Sequence, residues 1–427
     1  TAAVSKARLA TLVATEEFPI KASLSPKATT AAVIKSNTVE GGLQVITRDC
    51  TSSFVSLKFA VAGGSSAETA STRGSANLLA TAAFAGNTNR SGVELVHHLE
   101  SVGASFHAYA DKEKIVYDVK VLADQAESAI AAVVNAIALP PRAGYVLDEL
   151  KDVAQLEYNK FAANPSAQLR ELVQEAAFGE GSPLGASRFT GSLKKLSAAQ
   201  ALEFRSAQFV RGNVVIAANG ISQERLGAVL GKTVDEIPAG AAWNTSALPF
   251  VGSDVKVRAD LDGVSRVGLA FPVPAGEAGK PYAVLNALLA AKLSSQKQCA
   301  SSFLDTFRQN SLFGVEMAGQ ASGVAQQLEA VVAELKNIAA QCPSIDAVKQ
   351  KLTLEYFLAL EGTCSTEKLL CAHLRGLNAQ SVGDLRSVTP ASVSAAAAAS
   401  LKANPAYAVL GATAGTPSYA AVVNMLN

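Results

Sequence analysis

The sequence predicts an α+β fold written twice: two homologous lobes, each a mostly antiparallel sheet with helices packed on one side. Two observations carry that expectation. Segments of the first half recur in the second at one spacing. Ala132-Val133-Val134 returns as Ala330-Val331-Val332, and Leu156-Glu157-Tyr158 as Leu354-Glu355-Tyr356, both 198 residues on, and a shared offset marks an internal duplication. Within each half, stretches that alternate apolar and polar residues come first and stretches with a helical period follow, the order expected of sheets covered by helices.

The alternation Val55, Leu57, Phe59, Val61 ending at Gly64 reads as a strand and recurs as Val267, Leu269, Phe271, Val273 ending at Gly276, 212 residues on. The fall from 212 to 198 implies a shorter connection in the second half. In order, the first half reads as strands over 42–48 and 53–62, helices over 70–85 and 91–102, and strands over 104–110 and 114–121. Helices over 124–138, 145–163, 166–178 and 197–208 follow, then the apolar strand 213–218. Ser197 with Gln200 three residues later forms a capping box. The second half repeats this order and closes on a strand at Ala406 to Leu410, with Thr389-Pro390 as a cap followed by proline in the first turn. Residues 236–254 hold Pro238, Gly240, Pro249 and Gly252 around Trp243 without a period, and read as a linker. The chain is thus expected to divide into an amino-terminal arm (1–35, with a short helix at 5–14), a first lobe (36–235), the linker (236–254) and a second lobe (255–427).

A formal net charge of +1 over 427 residues offers no electrostatic footprint for nucleic acid or anionic lipid. Only 17% of residues are charged, and alanine is abundant, so a lone chain would present an apolar exterior; this points to extensive subunit contact. The five cysteines, at 50, 299, 342, 364 and 371, form no CxxC pair, and their odd number argues against a closed disulfide framework. Cys364 and Cys371 are seven residues apart on an expected helix, a spacing that core packing explains. No apolar run reaches the roughly 18 residues needed to span a bilayer, so no transmembrane segment is expected. The sequence starts at Thr1 and its only methionines are Met317 and Met425; an initiator, with or without a targeting segment, is expected either to have been removed or to lie outside this sequence.

The helix around Gly74-Ser75-Ala76-Asn77-Leu78-Leu79-Ala80-Thr81-Ala82-Ala83-Phe84-Ala85-Gly86 carries the most specific pattern. From Val55 to Glu157 the sequence resembles the mitochondrial processing peptidase family, whose members carry His-x-x-Glu-His here. In that motif two histidines one turn apart hold zinc and the glutamate activates water. The match puts Asn77 and Thr81 at the histidine positions and Ala80 at the general base. An amide, a hydroxyl and a methyl group cannot do that work. Glu157 stands 157 − 81 = 76 residues beyond Thr81, where the family places its third ligand. It shares a helical face with Leu150, Ala154 and Phe161, so it is expected to point inward or along a seam, its carboxylate satisfied by a neighbour; Glu355 repeats it in the second half. The histidines offer no alternative site: His97 and His98 point about 100° apart on a helix, and His107 marks the polar side of a strand. No catalytic, cofactor-binding or metal-binding residue is therefore assigned, and no cofactor.

Pro183-Leu184-Gly185 and Asn310-Ser311-Leu312-Phe313-Gly314 extend the resemblance to most of residues 36–427. Within the family the sequence is most similar to the core-subunit branch, core subunit 2 type, of the mitochondrial cytochrome bc1 complex (complex III). The resemblance implies two similar lobes facing each other around a cavity and a non-catalytic structural role on the matrix side of the inner membrane. Its implied partners are a homologous core subunit 1-type chain, cytochrome b, cytochrome c1 and the Rieske protein, within a dimer of the whole complex. The family's non-catalytic processing subunit instead holds presequences with a glycine-rich loop in its second half. The matching stretch here, Leu285 to Phe303, contains no glycine and favours a stiff helix. Two alternatives stay open: the presequence-binding subunit of a processing peptidase, and a peptidase-like subunit of another mitochondrial complex such as ATP synthase.

Overall fold

The structure, a computed structural model, describes residues 33–39, 42–50, 52–141, 143–191, 193–241, 246–295, 299–321, 323–362 and 365–426. The expected helix at 5–14, most of the arm, Trp243 and Cys364 lie outside them. The first half runs through strands β1 (Val33–Val39), β2 (Leu43–Asp49) and β3 (Phe54–Ala62), helices α1 (Ser75–Thr81) and α2 (Gly92–Ser101), and a hairpin of β4 (Ser105–Ala110) and β5 (Lys114–Leu122). Helices α3 (Ala126–Ala138), α4 (Gly144–Ala162), α5 (Pro165–Phe178) and α6 (Ala198–Gln208), strand β6 (Val214–Asn219) and helix α7 (Gln223–Thr233) complete it. The second half has β7 (Asp254–Arg258), β8 (Val264–Val273), α8 (Lys280–Ser295), a hairpin of β9 (Ala300–Thr306) and β10 (Ser311–Gln320), then α9 (Val324–Ala340), α10 (Asp346–Glu361) and α11 (Ser365–Leu374). It ends in α12 (Ala379–Gly383), α13 (Pro390–Lys402), β11 (Ala406–Gly411) and α14 (Tyr419–Leu426).

The two sheets repeat each other, and the α+β duplication expected from the sequence is the observed fold. One has the order β1-β2-β6-β3-β5-β4 and the other β7-β11-β8-β10-β9. Each is antiparallel except for one pair, β2 with β6 and β7 with β11. The two hairpins turn alike: Ala110 pairs with Ile115 and Thr306 with Ser311, an offset of 306 − 110 = 196. Capping follows the sequence. Ser197 accepts the Gln200 N–H in a full capping box, and Thr389 accepts the Ser392 N–H ahead of Pro390 at the first helical position.

Each sheet is apolar on both faces, and this decides the packing. Phe59, Tyr117 and Ile216 face the helices of the first half, while Leu269, Phe313 and Tyr407 face those of the second. The opposite faces are covered by one helix each, taken from the other half. Leu169, Val173 and Ala177 of α5 pack on Ala270, Ala408 and Leu410 of the second sheet. In return, Leu369, Leu370 and Ala372 of α11 pack on Ile46, Ala60, Val116 and Ala217 of the first. Gly268 permits the close approach of α5, since a Cβ there would lie 2.3 Å from Val173 Cγ2. This exchange buries two apolar layers between the halves. The segment read as a linker joins it: Val251 and Ser253 donate their N–H groups to the carbonyls of Ala177 and Ala176 at the end of α5.

Candidate functional site

Helix α1 is shorter than the expected 70–85, because turns precede Ser75 and follow Thr81. It starts at Gly74, whose φ of 94° suits glycine and whose Cβ would clash with Thr190 and Leu193. The Glu68 carboxylate accepts the N–H groups of Gly74 (2.8 Å) and Ala76 (2.7 Å) at its amino terminus. Burial pushes the Glu68 carboxyl up to about 7 against those two donors. Asn77 and Ala80 are buried, and the Thr81 hydroxyl donates to the Asn77 carbonyl at 3.0 Å. The helix therefore keeps the one-turn relation between positions 77 and 81 but has filled it with back-bonding and small apolar packing. This donor set does not fit zinc.

Glu157 departs from its expected place. It is exposed on α4, while Leu147 and Ala154 of that helix are fully buried. Its counterpart Glu355 is exposed as well and only 3.7 Å from Lys351. The recurring packing residue of the triplet is the tyrosine: Tyr158 lies 3.2 Å from a Cβ built on Gly191, and Tyr356 2.5 Å from one built on Gly383. A bulky ring against a glycine preserves the repeat in both halves; the carboxylates are by-standers on a solvated turn. His97 and His107 are exposed, His98 Nε2 is 3.0 Å from Ser128 Oγ, and His373 Nε2 is 3.0 Å from Gln44 Oε1. Among the described residues no group of three His, Cys, Asp or Glu is placed to hold a metal.

The polar chemistry lies instead where the exchanged helices cross. Glu367 of α11 accepts from Lys58 (3.2 Å) and Lys114 (3.0 Å) of the first sheet, from the Tyr109 hydroxyl (3.0 Å) and from the Cys371 thiol (3.2 Å). Lys58 also meets Asp118 at 2.8 Å. Burial alone would push Glu367 up, but Lys114 and Lys58 overcome it and hold the carboxyl at about 2. The same burial, with Glu367 beside it, pushes the Cys371 thiol up to about 11. At the other sheet the polarity is reversed. Arg170 of α5 meets Asp305 (2.7 Å) and Glu316 (3.3 Å) and stacks 3.9 Å from the centre of the Phe303 ring.

Between these two clusters lies a cavity of about 480 Å³, walled by the tips of both hairpins and by α5 and α11. Lys112 crosses its wall, bonded to Glu171 (3.0 Å) and to the Leu184 carbonyl (2.9 Å). Leu184 belongs to the Pro-Leu-Gly motif singled out in the sequence, so that motif anchors one cation of the cavity wall. Sequence reading missed the rest. The only local sign was a lysine, Lys58, inside an otherwise apolar run.

Comparison with known proteins agrees with this architecture. Residues 44–189 match the profile of Insulinase (Peptidase family M16). The chain is 25% identical over 241 residues to mitochondrial-processing peptidase subunit alpha of Solanum tuberosum, covering 56% of this chain and 47% of that protein. It is 24% identical over 335 residues to probable mitochondrial-processing peptidase subunit alpha-2 of Arabidopsis thaliana, covering 72% and 66%. It is 25% identical over 246 residues to human cytochrome b-c1 complex subunit 1, covering 55% and 50%. The matches thus span about half to two thirds of these relatives' length. The resemblance to peptidase M16 and the mitochondrial character of the relatives stand on these matches.

Proposed function

We propose that this M16-type chain is a non-catalytic structural core subunit of mitochondrial ubiquinol-cytochrome c reductase, peripheral on the matrix side of the inner membrane. The observation that carries the reading is the apolar surface left on two equivalent helices of a fold whose zinc positions have been filled by Asn77, Ala80 and Thr81. Leu354, Phe357 and Leu358 of α10, at 60%, 42% and 57% exposure, follow the i, i+3, i+4 spacing of a docking stripe; Tyr145, Val153 and Leu156 are exposed on α4. A homologous core subunit 1-type chain is the partner for that surface, with cytochrome b, cytochrome c1 and the Rieske protein in the same assembly. No helix among the described residues is long and apolar enough to cross a membrane.

The second reading, a presequence-binding subunit of a processing peptidase, is favoured by the 335-residue match to an alpha-type subunit. Two features weigh against it. Helix α8 runs to Ser295 and β9 starts at Ala300, which leaves too few residues for a long glycine-rich loop. Targeting peptides are arginine-rich, and every carboxylate lining the central cavity is already engaged by a donor of the chain. A peptidase-like subunit of another mitochondrial complex is the third reading. Native separation of solubilised mitochondrial membranes, followed by mass spectrometry of what co-migrates, separates the three. Co-migration with cytochrome b, cytochrome c1 and the Rieske protein is the expected result; a soluble pair with a zinc-motif homologue, or ATP synthase subunits, would overturn it.

A further inference from the structure

We infer that the cavity between the exchanged helices binds a small carboxylate-bearing anion, with Arg375 as its principal contact. The charges of the cavity wall can be accounted for one by one. Asp111 meets Arg188 at 3.3 Å, Glu113 accepts the Arg308 N–H at 2.8 Å, Glu171 meets Lys112, Asp305 meets Arg170, and Glu367 meets Lys114. All five acids of the wall are engaged. Arg375 shares that wall, and no carboxylate stands within ion-pair distance of it among the described residues; the groups acting on it are the Cys371 thiol and the Tyr356 hydroxyl. A half-buried guanidinium without a counter-charge is costly, and a carboxylate meets it with two parallel N–H···O bonds.

Further groups in the same wall ask for a ligand. The Nε atom of Arg170 and the Oε1 of Gln174 are buried without a hydrogen-bond partner, and Gln174 is only 9% exposed. A donor and an acceptor in the wall that also holds an unmatched cation suit an anion that carries a hydroxyl, since the hydroxyl can donate to Gln174 Oε1. A volume of about 480 Å³ admits a compact organic acid and lies in the usual range for small-molecule sites. The site joins residues of both halves, so occupancy would hold α5 and α11 together.

The test is calorimetric titration of the full chain, with whatever partners co-purify, using L-malate, succinate and inorganic phosphate at low ionic strength. Saturable binding of malate, tighter than succinate and much tighter than phosphate, is expected. Arg375→Gln should weaken malate at least tenfold, and Arg375→Lys, which keeps the charge but loses the two-pronged contact, should fall between wild type and Arg375→Gln. Thermal melting of each variant checks that it is folded. No saturable binding of either acid, phosphate binding as tightly as malate, or an Arg375→Gln titration equal to wild type would overturn the assignment.

Discussion

Glu367→Gln removes the acid at the centre of the first helix-sheet junction while keeping its shape. Lys58 would keep Asp118 as a partner, but Lys114 would lose its ion pair with its side chain only 9% exposed. The fall of the carboxyl from 4.5 to about 2 corresponds to about 3 kcal/mol at about 1.36 kcal/mol per pH unit, which agrees with the ~3–5 kcal/mol lost when one member of a buried pair is removed. The sign follows from the depressed value. The unfolded chain binds the proton near 4.5 and the folded one only near 2, so this stabilisation is fully present above pH 4.5 and is lost as pH falls from 4.5 towards 2. Chemical unfolding of wild type and variant at pH 7 should therefore differ by about 3 kcal/mol, and the gap should close across that acid window. Other carboxylates titrate there in both proteins and cancel in the difference. A gap below about 0.5 kcal/mol at pH 7, or one that does not shrink towards pH 2, would refute the reasoning.

Arg170→Glu should destabilise the opposite junction by about 2 kcal/mol, discounted because its side chain is 34% exposed, and Asp305→Arg in the same chain should restore part of the loss in a double-mutant cycle. Gly268→Ala places a methyl group 2.3 Å from Val173 Cγ2 and should cost about 1–3 kcal/mol by lifting α5 from the sheet, read as a lowered unfolding midpoint. Asn77→His, Ala80→Glu and Thr81→His together should confer zinc uptake in a chelator-competition assay, because the one-turn spacing is intact; a folded triple variant that takes up none would refute this. Leu354→Ser with Phe357→Ser and Leu358→Ser should abolish co-migration with partner subunits while leaving the unfolding midpoint of the isolated chain nearly unchanged, since all three residues are exposed.

The parts of the fold that the sequence disclosed are those with a local cause. Strand β3 alternates because its large residues Val55, Leu57, Phe59 and Val61 all meet the helices of its own half while smaller ones and Lys58 face α11, and Ser197 and Thr389 cap because hydroxyls there satisfy free N–H groups. Strand β1 escaped notice because it is an edge strand, exposed along most of its length and without alternation; β7 is short and exposed for the same reason. Glu157 is exposed rather than turned inward because residues three and four apart share a face only approximately, and Ala154 and Glu157 straddle the boundary of the buried stripe on α4. The helix exchange was invisible for a different reason. The periodicity of α5 and α11 shows that each has an apolar face, but a period says nothing about which sheet receives it. The cluster of Lys58, Lys114 and Glu367 joins positions more than 250 residues apart, and only the fold brings them together.

Opposite charge at the two junctions supplies the missing instruction. The halves are duplicates, so an apolar helix face alone would fit either sheet. In the observed exchange Arg170 meets Asp305 and Glu316 of the second sheet while Glu367 meets Lys58 and Lys114 of the first, so each helix carries the charge opposite to that of the side chains that receive it. A helix of the other charge would forgo those pairs, which is how specificity between similar apolar surfaces is achieved. Phe303 beneath Arg170 and the Tyr109 hydroxyl on Glu367 add contacts that each suit only one of the two polarities. The duplicated halves thus carry, at the crossing of two helices, a set of charges that makes each half depend on the other to cover its sheet.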